Sequence, residues 1–219
     1  IMRRALLAAE KNGLVISSHC EDAEMVQNYA CNEGVISEKL GMPGRPAVAE
    51  ELMIARDVML AADTGARVHI AHVSTARSVE IIRQAKRSGV RVTAETCPQY
   101  FTITEDELLR CGTMARVNPP LRTAADVDAI IRGLMDGTID AVVTDHAPHS
   151  AEEKARPLET APSGMVGLET SLGLTLTMLY HSGLLKISDV VRCMSVRPAE
   201  ILGLAKGRIG PGDCADIVI

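Results

Sequence analysis

Four short apolar runs alternate along the chain with longer segments of helical periodicity. The apolar runs fall at residues 14–16, 68–72, 89–95 and 140–145, with glycine turn signals at Gly13, Gly65, Gly89 and Gly137. Helical periodicity extends over about residues 47–62, 78–87 and 124–135. Strands that alternate with helices of roughly ten or more residues are typical of βαβ units and a parallel sheet. The sequence therefore predicts an α/β fold.

Ionisable side chains stand at the carboxyl end of each predicted strand. They are His19, His72, Glu95 and Asp145. In parallel α/β folds this edge carries the active site, whether the sheet is open or closed into a barrel. Because packing alone does not explain ionisable groups at every strand end, we expect a functional site at this edge.

Strand periodicity assigns these side chains to faces of the sheet. Residues two apart share a face, which groups His72 with Ile70 and places His69 on the opposite face, among the covering helices. By the same spacing, we expect the side chains of His19 and Asp145 to project into the space into which His72 projects. Imidazole and carboxylate ligands from separate strands suit zinc. From the residues alone two interpretations stay open, a metal-assisted hydrolase or three unrelated buried polar residues.

Composition narrows the classes of partner. The chain has 219 residues, a net charge of −5 and 2% aromatic residues, without a basic stripe. These features argue against nucleic acid or an anionic membrane as the main partner. No apolar run reaches the roughly 18–20 residues that a membrane span needs. Six cysteines without a C-x-x-C pair predict reduced thiols and a cytoplasmic protein.

Several short motifs follow one another in a defined order. They read HCED at 19–22, AHVST at 71–75, ETCPQY at 95–100, NPPLR at 118–122, TDHAPH at 144–149, APSGMVGLET at 161–170, RPA at 197–199 and GDCADIV at 212–218. Each motif alone is weakly specific. In this order and spacing they resemble the cyclic amidohydrolases, and most closely the class I dihydroorotases, over essentially the whole chain.

The resemblance implies a fold. Members of that family combine a (β/α)8 barrel with a small β-sandwich built from both chain ends. Residues 1–205 would then form a partial (β/α)8 TIM-type barrel, with strands 5–8 and their helices. Residues 206–219 would begin the β-sandwich domain, with a return strand at residues 215–219.

The resemblance also assigns roles to residues. His19, His72 and Asp145 match metal ligands, and Asp145 matches the catalytic proton shuttle as well. The matching substrate-binding positions are Asn118, His149, Ser163 and Gly164. The implied cofactor is Zn²⁺, one or two ions per subunit, or another divalent metal. The implied reaction is the reversible hydrolysis of the cyclic amide of L-dihydroorotate to N-carbamoyl-L-aspartate, a step of pyrimidine biosynthesis.

Some parts of the family pattern do not occur in this sequence. The H-x-H pair of the family's first strand and the bridging lysine or aspartate of its fourth are missing. Ile1 falls within a helical pattern and Ile219 within a strand pattern. We therefore expect a piece of a longer protein that is inactive alone. The resemblance further predicts a homo-oligomer and allows association with an aspartate carbamoyltransferase.

Related enzymes and non-enzymes supply the alternatives. Hydantoinase or dihydropyrimidinase, and allantoinase, share the metal chemistry. The motifs at 118–120 and 145–149 favour dihydroorotase, because they match its way of holding an anionic ring. A non-catalytic dihydroorotase-like scaffold subunit is the remaining alternative. Loss of metal ligands would mark such a subunit, and the three ligand positions in this chain are intact.

Overall fold

A parallel four-stranded sheet forms the centre of the fold. The computed structural model describes residues 1–217, and within them the strands lie side by side in chain order. The strands are β1 (Val15–Ser18), β2 (Arg67–Ile70), β3 (Val92–Thr96) and β4 (Ala141–Val142). Each predicted strand is present, so the α/β prediction is confirmed.

Helices connect the strands and follow the last of them. Those in residues 1–217 are α1 (Met2–Lys11), α2 (Ala23–Val26), α3 (Val35–Leu40), α4 (Val48–Thr64), α5 (Ala76–Arg87), α6 (Gln99–Thr102), α7 (Glu107–Cys111), α8 (Ala124–Met135), α9 (Ala151–Lys154), α10 (Ser171–Thr175), α11 (Ile187–Val191) and α12 (Arg197–Leu202). A 3-10 turn spans Gly112–Ala115, and π-helical turns span Leu176–Tyr180 and Arg192–Val196. Helices α4, α5 and α8 confirm the predicted helical segments.

Local signals in the sequence explain where the long helices begin and end. Thr75 begins α5, because its side chain accepts a hydrogen bond from the Ser78 N–H at 3.1 Å. Thr123 and Asp126 form a capping box at the start of α8. Such caps satisfy N–H groups that have no partner within the helix. Helix α4 ends at Gly65 with φ +68°, a left-handed conformation that favours glycine.

The main core lies between the sheet and its helices. Val68 and Ile70 of β2 are fully buried, and they belong to one apolar cluster with Ile54 of α4 and Ile82 of α5. Burial of each such side chain contributes about 1.5–3 kcal/mol. The cluster therefore sets the helices against one face of the sheet and leaves the strand ends to carry other chemistry.

The prediction that His69 lies on the face covered by the helices was wrong. Val68 and Ile70 point to the helices, whereas His69 projects from the other face of β2. Its ring nitrogens lie 2.8 Å from Thr93 Oγ1 and 2.9 Å from Glu95 Oε2 on the neighbouring strand. The prediction assumed that side chains alternate between the two faces of the sheet as far as His72. Strand β2 ends at Ile70, however, and residues beyond it no longer follow the two-residue period of a strand.

The segment after α12 differs from the expected β-sandwich strand. Residues 203–217 form turns and irregular backbone, and no strand occurs among them. Residues 215–217 of the expected return strand are therefore not a strand. Val218 and Ile219 lie outside the described residues. Across residues 1–217, no helix combines the length and the apolar character that crossing a bilayer requires.

Candidate active site

Two histidines from neighbouring strand ends meet at the carboxyl edge of the sheet. His19 follows β1 directly and His72 comes two residues after β2. The Nδ1 atom of His19 lies 2.8 Å from the Nε2 atom of His72. The two rings are 4.7 Å apart between centroids and nearly perpendicular. The structure thus brings together two of the three predicted metal ligands.

Backbone conformation turns two of the predicted ligands out of the strand direction. His72 has φ +35° and Asp145 has φ +45°, both left-handed conformations that are unfavourable for residues other than glycine. Strain of this kind costs about 1–3 kcal/mol per residue and concentrates at functional sites. Gln27 also has a positive φ, of +40°, so we interpret His72 and Asp145 as functional because they combine this strain with a place at the carboxyl edge of the sheet.

Within residues 1–217, Asp145 does not complete a metal-binding group with the histidine pair. Its side chain is exposed, and within residues 1–217 no three His, Cys, Asp or Glu side chains form a group that could hold a metal ion. Burial lowers the pKa of His72, the adjacent His19 lowers it further, and the charge of Asp145 acts in the opposite direction. Asp145 as third ligand therefore stays a prediction.

The histidine pair fits a metal ion in its chemistry and nearly in its geometry. Two nitrogens bound to one zinc at 2.0–2.1 Å in a tetrahedral arrangement stand about 3.3 Å apart, so the pair has to open by about half an ångström. The lowered pKa of His72 favours the neutral imidazole that binds metals. Its Nδ1 atom is buried and makes no hydrogen bond within the described residues.

A partly buried ion pair next to His19, Glu21 with Arg45, was not predicted from the sequence. Glu21 Oε2 lies 3.5 Å from His19 Nε2, and Glu21 Oε1 accepts a hydrogen bond from Arg45 at 2.8 Å. Burial by itself raises the pKa of Glu21, but the hydrogen bond with His19 and the charge of Arg45 bring it below its ordinary value. Glu21 belongs to the HCED motif, whereas no motif marked Arg45.

Asn118 joins this ion pair. Its Oδ1 atom accepts a hydrogen bond from Arg45, and its Nδ2 atom donates to Glu21 at 3.4 Å. The amide of this predicted substrate contact is therefore held in one orientation beside His19. The structure thus places Asn118 in the same part of the site as the histidine pair.

The other three predicted substrate-binding residues form a second group. His149 Nε2 lies 3.1 Å from the carbonyl oxygen of Ser163, and the N–H of Gly164 donates to the carbonyl of Arg116 at 2.9 Å. The buried ammonium of Lys154 donates to three carbonyls, those of Thr113, Arg116 and Pro162. These hydrogen bonds of Lys154 hold the loop after β4 in a defined conformation.

Gly164→Ala is expected to lower the free energy of unfolding by about 1–3 kcal/mol. Gly164 has φ +140°, and an added Cβ would lie 2.7 Å from both the carbonyl oxygen and the Cβ of Ala147. Urea denaturation measures the loss. Gly173→Ala is the matched control, because an added Cβ there meets no atom within 4 Å. Equal effects of the two changes would contradict the prediction.

The sequence profile of the amidohydrolase family matches residues 1–219. The chain belongs to the amidohydrolase family. Two similar proteins are named dihydroorotase, one from Pelotomaculum thermopropionicum at 53% identity and one from Syntrophus aciditrophicus at 51%. Both alignments cover 100% of this chain and 51% of the relative, so the chain spans about half the length of these relatives.

Solved structures of related enzymes share the fold of this family member. The L-hydantoinase (dihydropyrimidinase) from Arthrobacter aurescens superimposes with a TM-score of 0.87 at 29% identity. That alignment covers 98% of the amidohydrolase chain described here and 49% of the hydantoinase. The resemblance to dihydroorotases inferred from the motifs is confirmed, and the higher identity lies with the proteins of that name.

Proposed function

We propose that the protein carrying this chain is a dihydroorotase, a hydrolase of cyclic amide C–N bonds. The observation that carries the proposal is identity of about half of all positions, over the whole chain, with proteins named dihydroorotase. The His19–His72 pair at the carboxyl edge of the sheet supports it, because that edge carries the active site in parallel α/β folds.

His19, His72 and Asp145 would hold the metal that the family generally requires. A divalent ion there supplies a Lewis acid that polarises the amide carbonyl and makes water more acidic. A carboxylate oxygen of Asp145 then accepts the proton of the attacking water and delivers it to the ring nitrogen as the C–N bond breaks. In the reverse direction the same oxygen removes the proton from the attacking nitrogen.

The remaining predicted residues would bind and orient the substrate. Asn118, held by Arg45 and Glu21, presents its amide to the ring. His149 supplies a hydrogen bond to the substrate carboxylate, and Ser163 and Gly164 line the same loop. Holding the ring at two points keeps the scissile bond in the orientation that attack requires.

Finer features of the proposal concern the whole protein. We propose one or two zinc ions per subunit, a cytoplasmic homo-oligomer and association with an aspartate carbamoyltransferase. Residues 1–205 would belong to the barrel and residues 206–219 to a small β-sandwich. Metal analysis and size-exclusion chromatography of the intact natural protein test the first two of these features.

A substrate comparison separates dihydroorotase from its relatives. Ring opening of L-dihydroorotate, hydantoin and allantoin is measured with the intact natural protein after metal analysis. Turnover of L-dihydroorotate with metal bound supports the proposal, whereas turnover of hydantoin alone assigns the protein to the hydantoinases that share its fold. Absence of both metal and turnover favours the non-catalytic scaffold.

His149→Ala sharpens that comparison. A hydrogen bond to a charged group contributes about 1.5–3 kcal/mol, so we expect KM for L-dihydroorotate to rise at least about tenfold. Hydantoin has no carboxylate, and its ring opening should change little. His181→Ala is the matched control, because His181 is exposed and directly follows the π-helical turn after α10. An unchanged KM in His149→Ala would refute its assigned role.

A further inference from the structure

Helix α4 carries two buried carboxylates that the proposed reaction does not use. Glu50 is 4% exposed and Asp57 is fully buried. They are seven residues apart, which is close to two full turns, so both project from the same side of the helix. Buried carboxylates are costly unless several donors surround them, and the identity of those donors shows what each carboxylate holds in place.

Asp57 holds the residues on either side of His19. Its Oδ2 atom accepts a hydrogen bond from Ser18 Oγ at 2.6 Å and one from Cys20 Sγ at 3.6 Å. Ser18 and Cys20 are buried while His19 between them is 42% exposed, so anchoring the two neighbours directs the imidazole outward.

Glu50 holds the residues that follow His72. It accepts hydrogen bonds from the backbone N–H groups of Ser74 at 3.0 Å and Thr75 at 3.3 Å, and from the Ser74 hydroxyl. The Ser78 hydroxyl also donates to it, at 2.8 Å. His72 has a left-handed backbone, and Glu50 anchors the chain after it together with the hydrogen bonds that Val73 makes to β3.

Backbone hydrogen bonds from Ala71 N–H to Ser18 O at 3.0 Å and from Val73 N–H to Glu95 O at 2.8 Å flank His72, but regular strand pairing stops before both imidazoles. The last residue pair between β1 and β2 is Ser18 with Ile70, so both His19 and His72 lie beyond the paired region. Helix α4 is a rigid element that contacts both segments past that point. Two carboxylates on one helix thereby fix the two histidines relative to each other.

We propose that Asp57 and Glu50 are positioning residues that set the separation of the His19 and His72 imidazoles for metal binding. The inference rests on the proposed metal site at these histidines. Residues that orient metal ligands without binding the metal themselves typically change metal affinity by 10–100-fold when they are altered. Neither carboxylate is among the proposed metal ligands or substrate contacts.

Metal titration of the intact natural protein tests the inference. Apoprotein is titrated with Co²⁺, whose visible spectrum reports ligand geometry, and with Zn²⁺. We expect Asp57→Asn and Glu50→Gln to raise the Kd at least about tenfold and to change the Co²⁺ spectrum. Asp63→Asn is the control on the same helix, because Asp63 pairs with Arg3 on the surface and should leave both readouts unchanged.

A milder pair of variants covers the case in which a carboxylate substitution prevents folding. Ser74→Ala and Ser78→Ala each remove one hydroxyl donor to Glu50, and both serines are buried. Only Ser74 lies within two residues of His72. Positioning predicts a weaker metal affinity in Ser74→Ala than in Ser78→Ala, whereas a purely structural role lowers the Tm of both apoproteins and leaves the two Kd values equal.

The outcomes separate this inference from the proposed function. If His19→Ala and His72→Ala bind metal as the wild type does, the metal site and the inference are both refuted. If those variants lose metal while Asp57→Asn, Glu50→Gln and Ser74→Ala keep wild-type affinity and spectrum, the inference alone is refuted. Loss of affinity in both sets supports both.

Discussion

Asp145→Ala is expected to lower turnover of L-dihydroorotate by at least about 100-fold, because a positioned general acid–base group contributes about 10²–10⁴-fold. Asp145 combines a left-handed backbone with an exposed carboxylate at the carboxyl edge of the sheet. Alanine removes the group that would carry the proton to the ring nitrogen. The measurement is steady-state kinetics of the intact natural protein, with metal content determined on the same samples.

The metal content of the Asp145→Ala variant distinguishes proton transfer from metal ligation as the role of Asp145. Loss of turnover with the metal retained would assign it to proton transfer, and loss of the metal would assign it to ligation. Asp128→Ala, an exposed carboxylate on α8, is the control and should leave kcat unchanged. Retention of more than about 1% of wild-type turnover in Asp145→Ala would refute the catalytic role.

Asp140→Asn is expected to lower the free energy of unfolding by about 3 kcal/mol, the scale on which removing one partner destabilises a buried ion pair. Asp140 is buried at the start of β4, where it accepts hydrogen bonds from Lys86 of α5 and Arg197 of α12, each at 2.5 Å. It also accepts from the Ala94 N–H of β3 at 2.9 Å. Asparagine keeps the shape but removes the carboxylate partner of Lys86 and leaves Arg197 paired with Glu200 alone.

Asp136→Asn is the matched control for this prediction. Asp136 pairs with Arg83 at 2.9 Å, but its side chain is 45% exposed. Exposed pairs contribute roughly 0–1 kcal/mol, so the change should cost less than about 1 kcal/mol. Urea denaturation of the three proteins gives both differences. Similar losses in the two variants would show that the buried network around Asp140 is not a specific source of stability.

The elements of the fold follow from local patterns. Glycine turn signals and apolar periodicity placed the four strands and helices α4, α5 and α8 within a few residues. These signals work because backbone conformation and helix capping depend on near neighbours in the chain. The C-terminal strand expected at residues 215–219 was inferred by resemblance and from a short apolar pattern, and residues 215–217 are not a strand.

The candidate site was only partly predictable. The motifs selected His19 and His72, which do meet, and placed Asn118 beside them. They could not select Arg45, which acts through contacts with residues distant in sequence. Asp57 and Glu50 could not be selected for the same reason, because within a helical pattern they resemble ordinary charged residues.

The sequence by itself determined the alternation of elements, the edge at which the ionisable groups stand and the family to which the chain belongs. The tertiary structure alone decided which face carries His69, how His72 leaves its strand and which buried carboxylates hold the histidine pair. The physical reason is that strand and helix periods describe a regular backbone. Side chains beyond the last strand residue are placed by packing and hydrogen bonds between segments far apart in the chain.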